Sequence, residues 1–303
     1  MSDFVVSVNY KSWTREPHMG TSSQCCAQLP RCLVCGGQTA KRFSKAFRGS
    51  NISYFMCLTC HHLTAGETSE NPVYGGGRYF EEVDTGWEGR NRRLLHFVRF
   101  ITRLPGIRLF AGSAMLDFGC GIGRLVEDLN RAGFNAFGFE PFPESSVLPD
   151  RVFADWSQAR RTIGQLSLVT CIEVLEHLRD PDKILDDISS VLISAGYLLI
   201  STEVYKRGTH KEDWYYLNPA AGHVSIFSER SLRALLRRHD FEAIFRINPS
   251  LWLYRRVASV PRSLVELGYF AVSQSRVKLG VRVNYRKRGE NSSDDQSRLK
   301  LKA

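Results

Sequence analysis

The stretch from Ala114 to Gly123 places the strongest constraint on the fold, because a short apolar run ends there at three alternating glycines. Residues 114–118 have the length and composition of a buried strand, and Leu125, Val126 and Leu129 follow at the spacing of one helix face. Glycine permits a positive φ and a close approach of backbone to ligand, and the amides at a helix N-terminus can bind that ligand. The stretch therefore predicts a strand, a binding turn and a helix.

The turn differs from a dinucleotide site, in which the spacing Gly-x-Gly-x-x-Gly holds a pyrophosphate. Here the order is Gly119-Cys120-Gly121-Ile122-Gly123, and Asp117 stands just before it. A turn preceded by a carboxylate suits a ligand that carries an ammonium group and no phosphate. We therefore predict that Asp117 and this turn bind the ligand.

Acidic residues follow three further predicted strands. Glu140 ends the strand over 136–139 and can accept both hydroxyls of a ribose, about 20 residues after the first turn. Asp155 follows the strand over 152–154 and can accept from an adenine amino group while Trp156 covers the ring, or it can simply cap the next helix. Glu173 follows the strand over 166–172. Ligands of a parallel α/β sheet bind beyond the carboxyl ends of its strands, where all these acids fall.

Strands that alternate with helices at this interval predict an α/β fold with a doubly wound, Rossmann-like sheet. The predicted segments are a flexible lead (1–30), a zinc ribbon (31–66), a linker and basic helix (67–108), the sheet domain (109–250), apolar-basic helices (251–280) and a disordered tail (281–303).

Two Cys-x-x-Cys pairs, Cys32 with Cys35 and Cys57 with Cys60, define the ribbon. Each pair can contribute two thiolates from one tight turn, and the intervening segment can form a hairpin that brings the pairs together around a tetrahedral zinc. Such a closed site is structural and leaves no open position for chemistry. The chain shows no secretory signal or long apolar run, so we expect reduced cysteines and a cytoplasmic location.

A second cluster is predicted opposite the glycine turn. Glu173, Glu176 and His177 stand at i, i+3 and i+4, and His223 follows in a long aromatic insertion. Three interpretations are open. The four side chains bind a divalent ion such as Mg²⁺; or His177 or His223 acts as a general base; or the cluster only supports the fold.

Taken together, these motifs resemble those of class I S-adenosylmethionine-dependent methyltransferases. The resemblance covers about 110–250 and implies that Asp117 and the glycine turn hold the methionine end of the cofactor, Glu140 the ribose, and Asp155 with Trp156 the adenine, with Cys171 in the same cofactor site. The Glu-x-x-Glu-His pattern with a distant His also resembles small-RNA 2′-O-methyltransferases and ubiquinone-pathway O-methyltransferases. The preceding ribbon resembles that of bacterial methyltransferases for sugars and other small metabolites.

We expect an O-directed methyltransferase for a small-molecule or glycan acceptor, including a lipid-linked sugar. Two other functions are considered: an RNA methyltransferase, and a zinc-ribbon interaction protein that lacks catalysis. The net charge of +10 could favour nucleic acid or a membrane surface, but residues 109–250 carry 15 Lys and Arg against 19 Asp and Glu. The basic charge lies at 88–108 and 276–303, which can contact such partners or simply form a solvated helix face and a tail.

Overall fold

The structure, a computed structural model, describes residues 30–47, 50–66, 86–107, 109, 112–141, 146–219 and 221–257. The predicted disordered tail and nearly all of the predicted flexible lead lie outside the described residues, as do 67–85 of the predicted linker.

Five α-helices, one short 3-10 helix (Leu175–His177) and eleven strands are described. The α-helices are α1 (Trp87–Ile101), α2 (Arg124–Arg131), α3 (Trp156–Ile163), α4 (Pro181–Val191) and α5 (Glu229–Arg238). The strands are β1 (Thr39–Phe47), β2 (Ser50–Cys57), β3 (Leu63–Ala65), β4 (Ala114–Phe118), β5 (Asn135–Phe139), β6 (Val152–Phe153), β7 (Leu166–Ile172), β8 (Leu192–Ser201), β9 (Ser225–Ile226), β10 (Phe241–Arg246) and β11 (Leu251–Arg256).

Seven strands form the larger sheet, in the order β10-β11-β8-β7-β4-β5-β6. Strands β8, β7, β4, β5 and β6 are parallel, and β11 is antiparallel to both of its neighbours. Helices α2, α3 and α4 connect successive parallel strands, as parallel pairing requires. The predicted α/β fold is confirmed, and the carboxyl ends of β4, β5, β6 and β7 meet at one edge.

The prediction of apolar-basic helices over 251–280 is wrong for its first residues, which form β11. Trp252 and Leu253 point to opposite faces of the sheet, yet their exposed fractions are only 1% and 0%. A strand that lies between two others and is covered on both faces needs no polar alternation, so its apolar run cannot be told from a buried helix by periodicity. The rest of that segment, from Ala258 onward, lies outside the described residues.

A smaller antiparallel sheet has the order β1-β2-β3-β9. Strands β1 and β2 form the hairpin predicted between the two cysteine pairs, with Thr39 opposite Cys57 at its base. The fourth strand, β9, comes from the long insertion after β8 and pairs with β3 through Leu63 and Ile226. The cysteine module (residues 31–66) is therefore joined to the larger domain by a shared sheet.

Three apolar clusters stabilise this arrangement. Alternate residues of β4 face opposite sides of the larger sheet, so that Leu116 and Phe118 belong to one cluster and Met115 to another. The third cluster lies under the smaller sheet and includes Tyr54 and Tyr216. Among the described residues, no helix combines the length and apolar character needed to span a bilayer.

Candidate active site

The glycine turn has the backbone that its sequence requires. Gly119, Gly121 and Gly123 adopt φ values of 76°, 54° and 88°, all in the left-handed region that favours glycine. A Cβ on Gly119 would lie 2.5 Å from Cγ2 of Val174, inside van der Waals contact. The missing side chain thus lets the glycine turn pack directly against the turn that follows β7.

Asp117 lies at the end of β4 beneath the glycine turn, with only 5% of its surface exposed. Its Oδ1 accepts a hydrogen bond of 2.6 Å from Thr170 Oγ1. Burial raises the pKa of Asp117 to about 7, although Thr170 and the positive charge of Arg90 act in the opposite direction. The carboxyl group therefore titrates near neutrality in the absence of a cationic ligand.

Arg90, on the first turn of α1, is a site residue that the sequence analysis missed. Its positive charge lowers the pKa of both Asp117 and Glu173, so the guanidinium lies near these two acids. The sequence pattern could have indicated this, because Arg90 lies four residues before Leu94 and thus on the same face of α1 as its buried residues. The other arginines of this helix are exposed.

Glu140 directly follows β5 and contacts the glycine turn. Its Oε2 accepts a hydrogen bond of 3.1 Å from the Gly121 amide, and its own amide donates to Phe153 O at 3.0 Å. The carboxylate also raises the pKa of Asp117, so the two acids lie close together. The structure thus brings Asp117, the glycines and Glu140 to one edge, as the sequence predicts for a cofactor site.

The two residues assigned to the adenine lie at the start of α3. Asp155 is exposed and caps the helix, since its Oδ1 accepts a hydrogen bond of 2.6 Å from Gln158 N, the alternative role weighed from the sequence. Trp156 is half-buried, and its ring lies 5.4 Å from Phe118 and 5.1 Å from Phe139 between centroids. Their contacts with adenine stay a prediction.

The two cysteines assigned to the cofactor site differ in position. Cys120 lies within the glycine turn and is half-buried, with Sγ 3.6 Å from Gly121 O. Cys171 belongs to β7 and has no exposed surface, and burial raises the pKa of its thiol. The structure therefore places Cys171 in the core beneath the site.

On the other side of the Gly119–Val174 contact, Glu176, His177 and His223 come together. Their ligand atoms all lie within 4.8 Å of one another, although His223 is 46 positions beyond His177 in the chain. Glu176 is fully buried and its pKa is raised by that burial. This group, here called the acceptor cluster, contains three of the four predicted metal ligands.

Glu173, the fourth predicted ligand, is not one of these three, but its carboxyl group lies beside that of Glu176, whose charge raises the pKa of Glu173. Its Oε1 accepts from Ser201 Oγ at 2.5 Å and its Oε2 from the Tyr216 hydroxyl at 3.2 Å. Its backbone has φ of 53°, an uncommon value for a non-glycine residue that turns the chain sharply after β7. Burial raises the pKa of Glu173 to about 7.

Backbone carbonyls orient both histidine rings. His223 Nδ1 lies 2.7 Å from Tyr216 O, and His177 Nδ1 lies 3.3 Å from Gly222 O. Because a carbonyl oxygen only accepts, Nδ1 carries the proton in each ring, and a neutral ring in this tautomer has its lone pair on Nε2. Burial lowers the pKa of both histidines, that of His177 to about 3.

Tyr216 is a second residue that the sequence analysis did not single out, although it lies in the predicted aromatic insertion. Its hydroxyl donates to Glu173 while its carbonyl accepts from His223, so one residue joins both acidic and basic groups. Nearby, the ring of His210 stacks on Trp214 at 3.9 Å between centroids, and Tyr215 is 69% exposed. Aromatic faces of this kind can pack against a ring-shaped acceptor.

The four cysteines of the predicted ribbon form one cluster. Cys35 Sγ lies 3.4 Å from the sulfurs of both Cys57 and Cys60, and Cys32 Sγ lies 3.5 Å from that of Cys60. The amides of Thr59 and Cys60 point at Cys57 Sγ, an arrangement that stabilises a thiolate. Tetrahedral zinc with Zn–S bonds of about 2.3 Å spaces its sulfurs about 3.8 Å apart, so this donor set fits zinc with small shifts.

A family model described as a methyltransferase domain matches residues 87–244, about half of the chain. A ubiquinone biosynthesis O-methyltransferase from Cupriavidus pinatubonensis is 30% identical over an alignment of 111 residues, and the match covers 33% of this chain and 45% of that protein. The protein of the same name from Ralstonia nicotianae is 28% identical over an alignment of 172 residues, and the match covers 52% of this chain and 68% of that protein. The chain thus spans about half the length of the first of these relatives.

Among solved structures, magnesium protoporphyrin IX methyltransferase from Synechocystis with bound S-adenosylmethionine shares 15% identity at a TM-score of 0.38, covering 61% of this chain and 86% of that one. The strand order and the family match define an α/β methyltransferase fold. The chain belongs to the methyltransferase-domain family.

Proposed function

We propose that this protein transfers a methyl group from S-adenosylmethionine to an oxygen atom of a small-molecule or glycan acceptor. The observation that carries the proposal is the contact between Gly119 and Val174, which joins the glycine turn to the turn bearing the acceptor cluster. A methyl donor held by the first turn then lies beside the groups that can prepare the acceptor. In-line displacement requires this proximity.

On the donor side, three charged residues suit three parts of the cofactor. Asp117 would bind the ammonium group, Glu140 the ribose hydroxyls and Arg90 the carboxylate of the methionine moiety. Bound S-adenosylmethionine supplies a methyl group on a sulfonium, so the protein needs to supply only alignment and removal of the acceptor proton.

On the acceptor side, the oxygen forms a bond to the methyl carbon while the carbon–sulfur bond breaks and the hydroxyl proton leaves. His223 is suited to take this proton, because its neutral ring holds the Nδ1 proton on Tyr216 and offers Nε2. Alternatively, Glu176, His177 and His223 hold a divalent ion that lowers the pKa of the acceptor hydroxyl. Two imidazoles and one carboxylate suit Mn²⁺ better than Mg²⁺, which prefers oxygen ligands. The third interpretation, in which the cluster only supports the fold, is tested together with these two.

The choice of acceptor rests on the relatives and on the aromatic insertion. The relatives named above are ubiquinone biosynthesis O-methyltransferases, a name that supports oxygen as the methylated atom and a small molecule as the acceptor. Trp214 and Tyr215 supply faces on which a sugar or an aromatic ring can pack. We also propose that the four-cysteine cluster binds structural zinc and that the protein works in the reducing cytoplasm.

The affinity for S-adenosylmethionine is expected to fall about tenfold between pH 8 and pH 6. The reason is that Asp117, with a pKa of about 7 in the free protein, must be ionised to bind an ammonium group, and its carboxyl group is protonated below that pH. Calorimetry across this range measures the dependence. Asp117→Asn should bind weakly at every pH with a flat profile, whereas Asp150→Asn, at an exposed turn, should keep the wild-type profile. A steep profile that persists in Asp117→Asn would contradict the placement.

Replacing Arg90 by Gln is expected to weaken S-adenosylmethionine binding by about tenfold, the value of one charged hydrogen bond. Arg92→Gln on the exposed face of the same helix is the matched control and should bind normally. Decarboxylated S-adenosylmethionine tests the assignment directly, because the wild type and Arg90→Gln should bind it equally. A loss of affinity in Arg90→Gln that is the same for both ligands would disprove the contact with the carboxylate.

The purified protein is expected to contain about one zinc per chain, since four thiolates complete a tetrahedral site. Elemental analysis by mass spectrometry measures this content. Cys57→Ser should lose most of the zinc, while Cys120→Ser, which alters a thiol outside the cluster, should retain it. Equal zinc contents in Cys57→Ser and in the wild type would rule out the four-cysteine cluster as the zinc site.

A further inference from the structure

The insertion that carries His223 packs on the cysteine module. Tyr205, Tyr216 and Leu217 are buried in the same apolar cluster as Tyr54 and Leu63 of strands β2 and β3. Trp214 and Val224 pack against the edge of this cluster. The insertion beside the acceptor cluster is therefore stabilised by apolar contacts with residues 31–66.

Two side chains of the module also hold the backbone of the insertion. Lys45 Nζ donates a hydrogen bond of 2.7 Å to Leu217 O, and the Tyr54 hydroxyl donates to His223 O at 3.4 Å. Tyr54 is completely buried, so its hydroxyl has no exposed surface through which to exchange this partner for bulk water. The first bond reaches Leu217, which directly follows Tyr216, and the second reaches His223 itself.

The backbone that follows His223 is hydrogen-bonded both to the cysteine module and to the larger domain. Toward the module, the Ala65 amide donates to Val224 O at 2.8 Å, and β3 pairs with β9. Toward the larger domain, the Val224 amide donates to Glu176 O at 2.8 Å. Arg179, two residues after His177, donates to Ala65 O and Gly66 O at 3.1 Å each. The module and the acceptor cluster thus share one short segment of backbone.

We propose that the cysteine module positions the acceptor cluster, with Lys45 and Tyr54 as positioning residues that hold the insertion at Leu217 and His223. The inference rests on the proposed function, in which His223 faces the acceptor. The module contacts the acceptor side through Leu217, His223 and Arg179. It also contacts the larger domain at Ser228 and Arg238, away from the glycine turn. The glycine turn and Asp117 are held by β4, β5 and β7. The folded state of the module thereby controls the orientation of His223 while the cofactor site stays formed.

Backbone hydrogen exchange of the full-length protein tests this without any acceptor. Lys45→Met and Tyr54→Phe are expected to speed exchange of the amides in 216–224 by about tenfold and to leave 114–123 unchanged. Lys45→Arg keeps a cationic donor and should restore protection. Lys41→Met, at an exposed position on the same strand, is the matched control.

The histidine tautomer supplies an independent readout. In the wild type, ¹⁵N spectra of labelled histidine should show His223 with its proton on Nδ1, and a mixture of tautomers is expected in Lys45→Met and Tyr54→Phe. The His223 signal is assigned with His223→Gln. Unchanged exchange over 216–224 together with an unchanged tautomer in both variants would overturn the proposal.

Removing the zinc from the full-length protein with a high-affinity zinc chelator tests the effect of the whole module. Exchange over 216–224 should then accelerate far more than exchange over 114–123, and affinity for S-adenosylmethionine should stay within about twofold of the wild type. Equal acceleration in both segments contradicts selective positioning. Calorimetry on untreated protein judges the proposed function separately, since failure to bind S-adenosylmethionine refutes that function and leaves the exchange result intact.

Discussion

His223→Ala is expected to lower the rate of methyl transfer by about 10²- to 10⁴-fold, the usual contribution of a positioned acid–base group. The affinity for S-adenosylmethionine should stay within about twofold, because His223 belongs to the acceptor cluster and the cofactor residues lie across the Gly119–Val174 contact. Transfer is measured as label from methyl-labelled donor in an acceptor identified by mass spectrometry of metabolite and glycan extracts. His96→Ala, on the exposed face of α1, is the control.

Chelation separates the interpretations of that result. If activity falls in EDTA and returns with Mn²⁺ or Mg²⁺, the acceptor cluster acts through a metal; if activity is unchanged in EDTA, His223 acts as a base. Zinc content must be measured in the same samples, because loss of an ion from the four cysteines would disturb His223 indirectly. Full activity in His223→Ala would leave the cluster with a supporting role only.

Gly119→Ala is expected to destabilise the protein by about 2–5 kcal/mol, from a left-handed backbone and an overpacked contact. The added Cβ would lie 2.5 Å from Val174 Cγ2 at φ of 76°, so the Val174 side chain or one of the two turns must shift. Cofactor affinity should fall at least tenfold as the turn distorts, measured by calorimetry beside urea unfolding.

Gly133→Ala provides a matched control for the strain alone. Gly133 has φ of 87° with no atom within 4 Å of the added Cβ, so its substitution should reduce stability by about 1–2 kcal/mol and leave cofactor affinity unaltered. Equal effects of Gly119→Ala and Gly133→Ala on both measurements would show that the contact with Val174 is unimportant.

Patterns that depend on neighbouring residues were predictable from the sequence. The structure confirms the strand Leu166–Ile172 at its predicted ends, and it places a hairpin between the cysteine pairs. Local chemistry suffices in these cases, because apolar runs, glycine and paired cysteines impose their geometry on the adjacent backbone. The segment Leu251–Arg256 defeated the same reasoning, since burial on both faces removes the polar alternation by which a strand is recognised.

The donor and acceptor sides of the site also differ in how far the sequence could predict them. Asp117, the glycines and Glu140 stand at the ends of adjacent parallel strands, so their meeting follows once the strands are recognised. The acceptor cluster depends on Tyr216, whose role appears only when its hydroxyl and carbonyl are located. One of 11 tyrosines cannot be selected from composition or spacing.

By itself, the sequence determined the α/β class, the glycine turn with its acids and the four-cysteine cluster, because each is encoded in residues close together in the chain or at the ends of recognisable strands. Only the tertiary structure decided that the cysteine module supports the acceptor cluster. That link consists of contacts such as Lys45 to Leu217, 172 positions apart. Contacts at such separations arise from the packing of whole sheets and leave no periodic trace in the sequence.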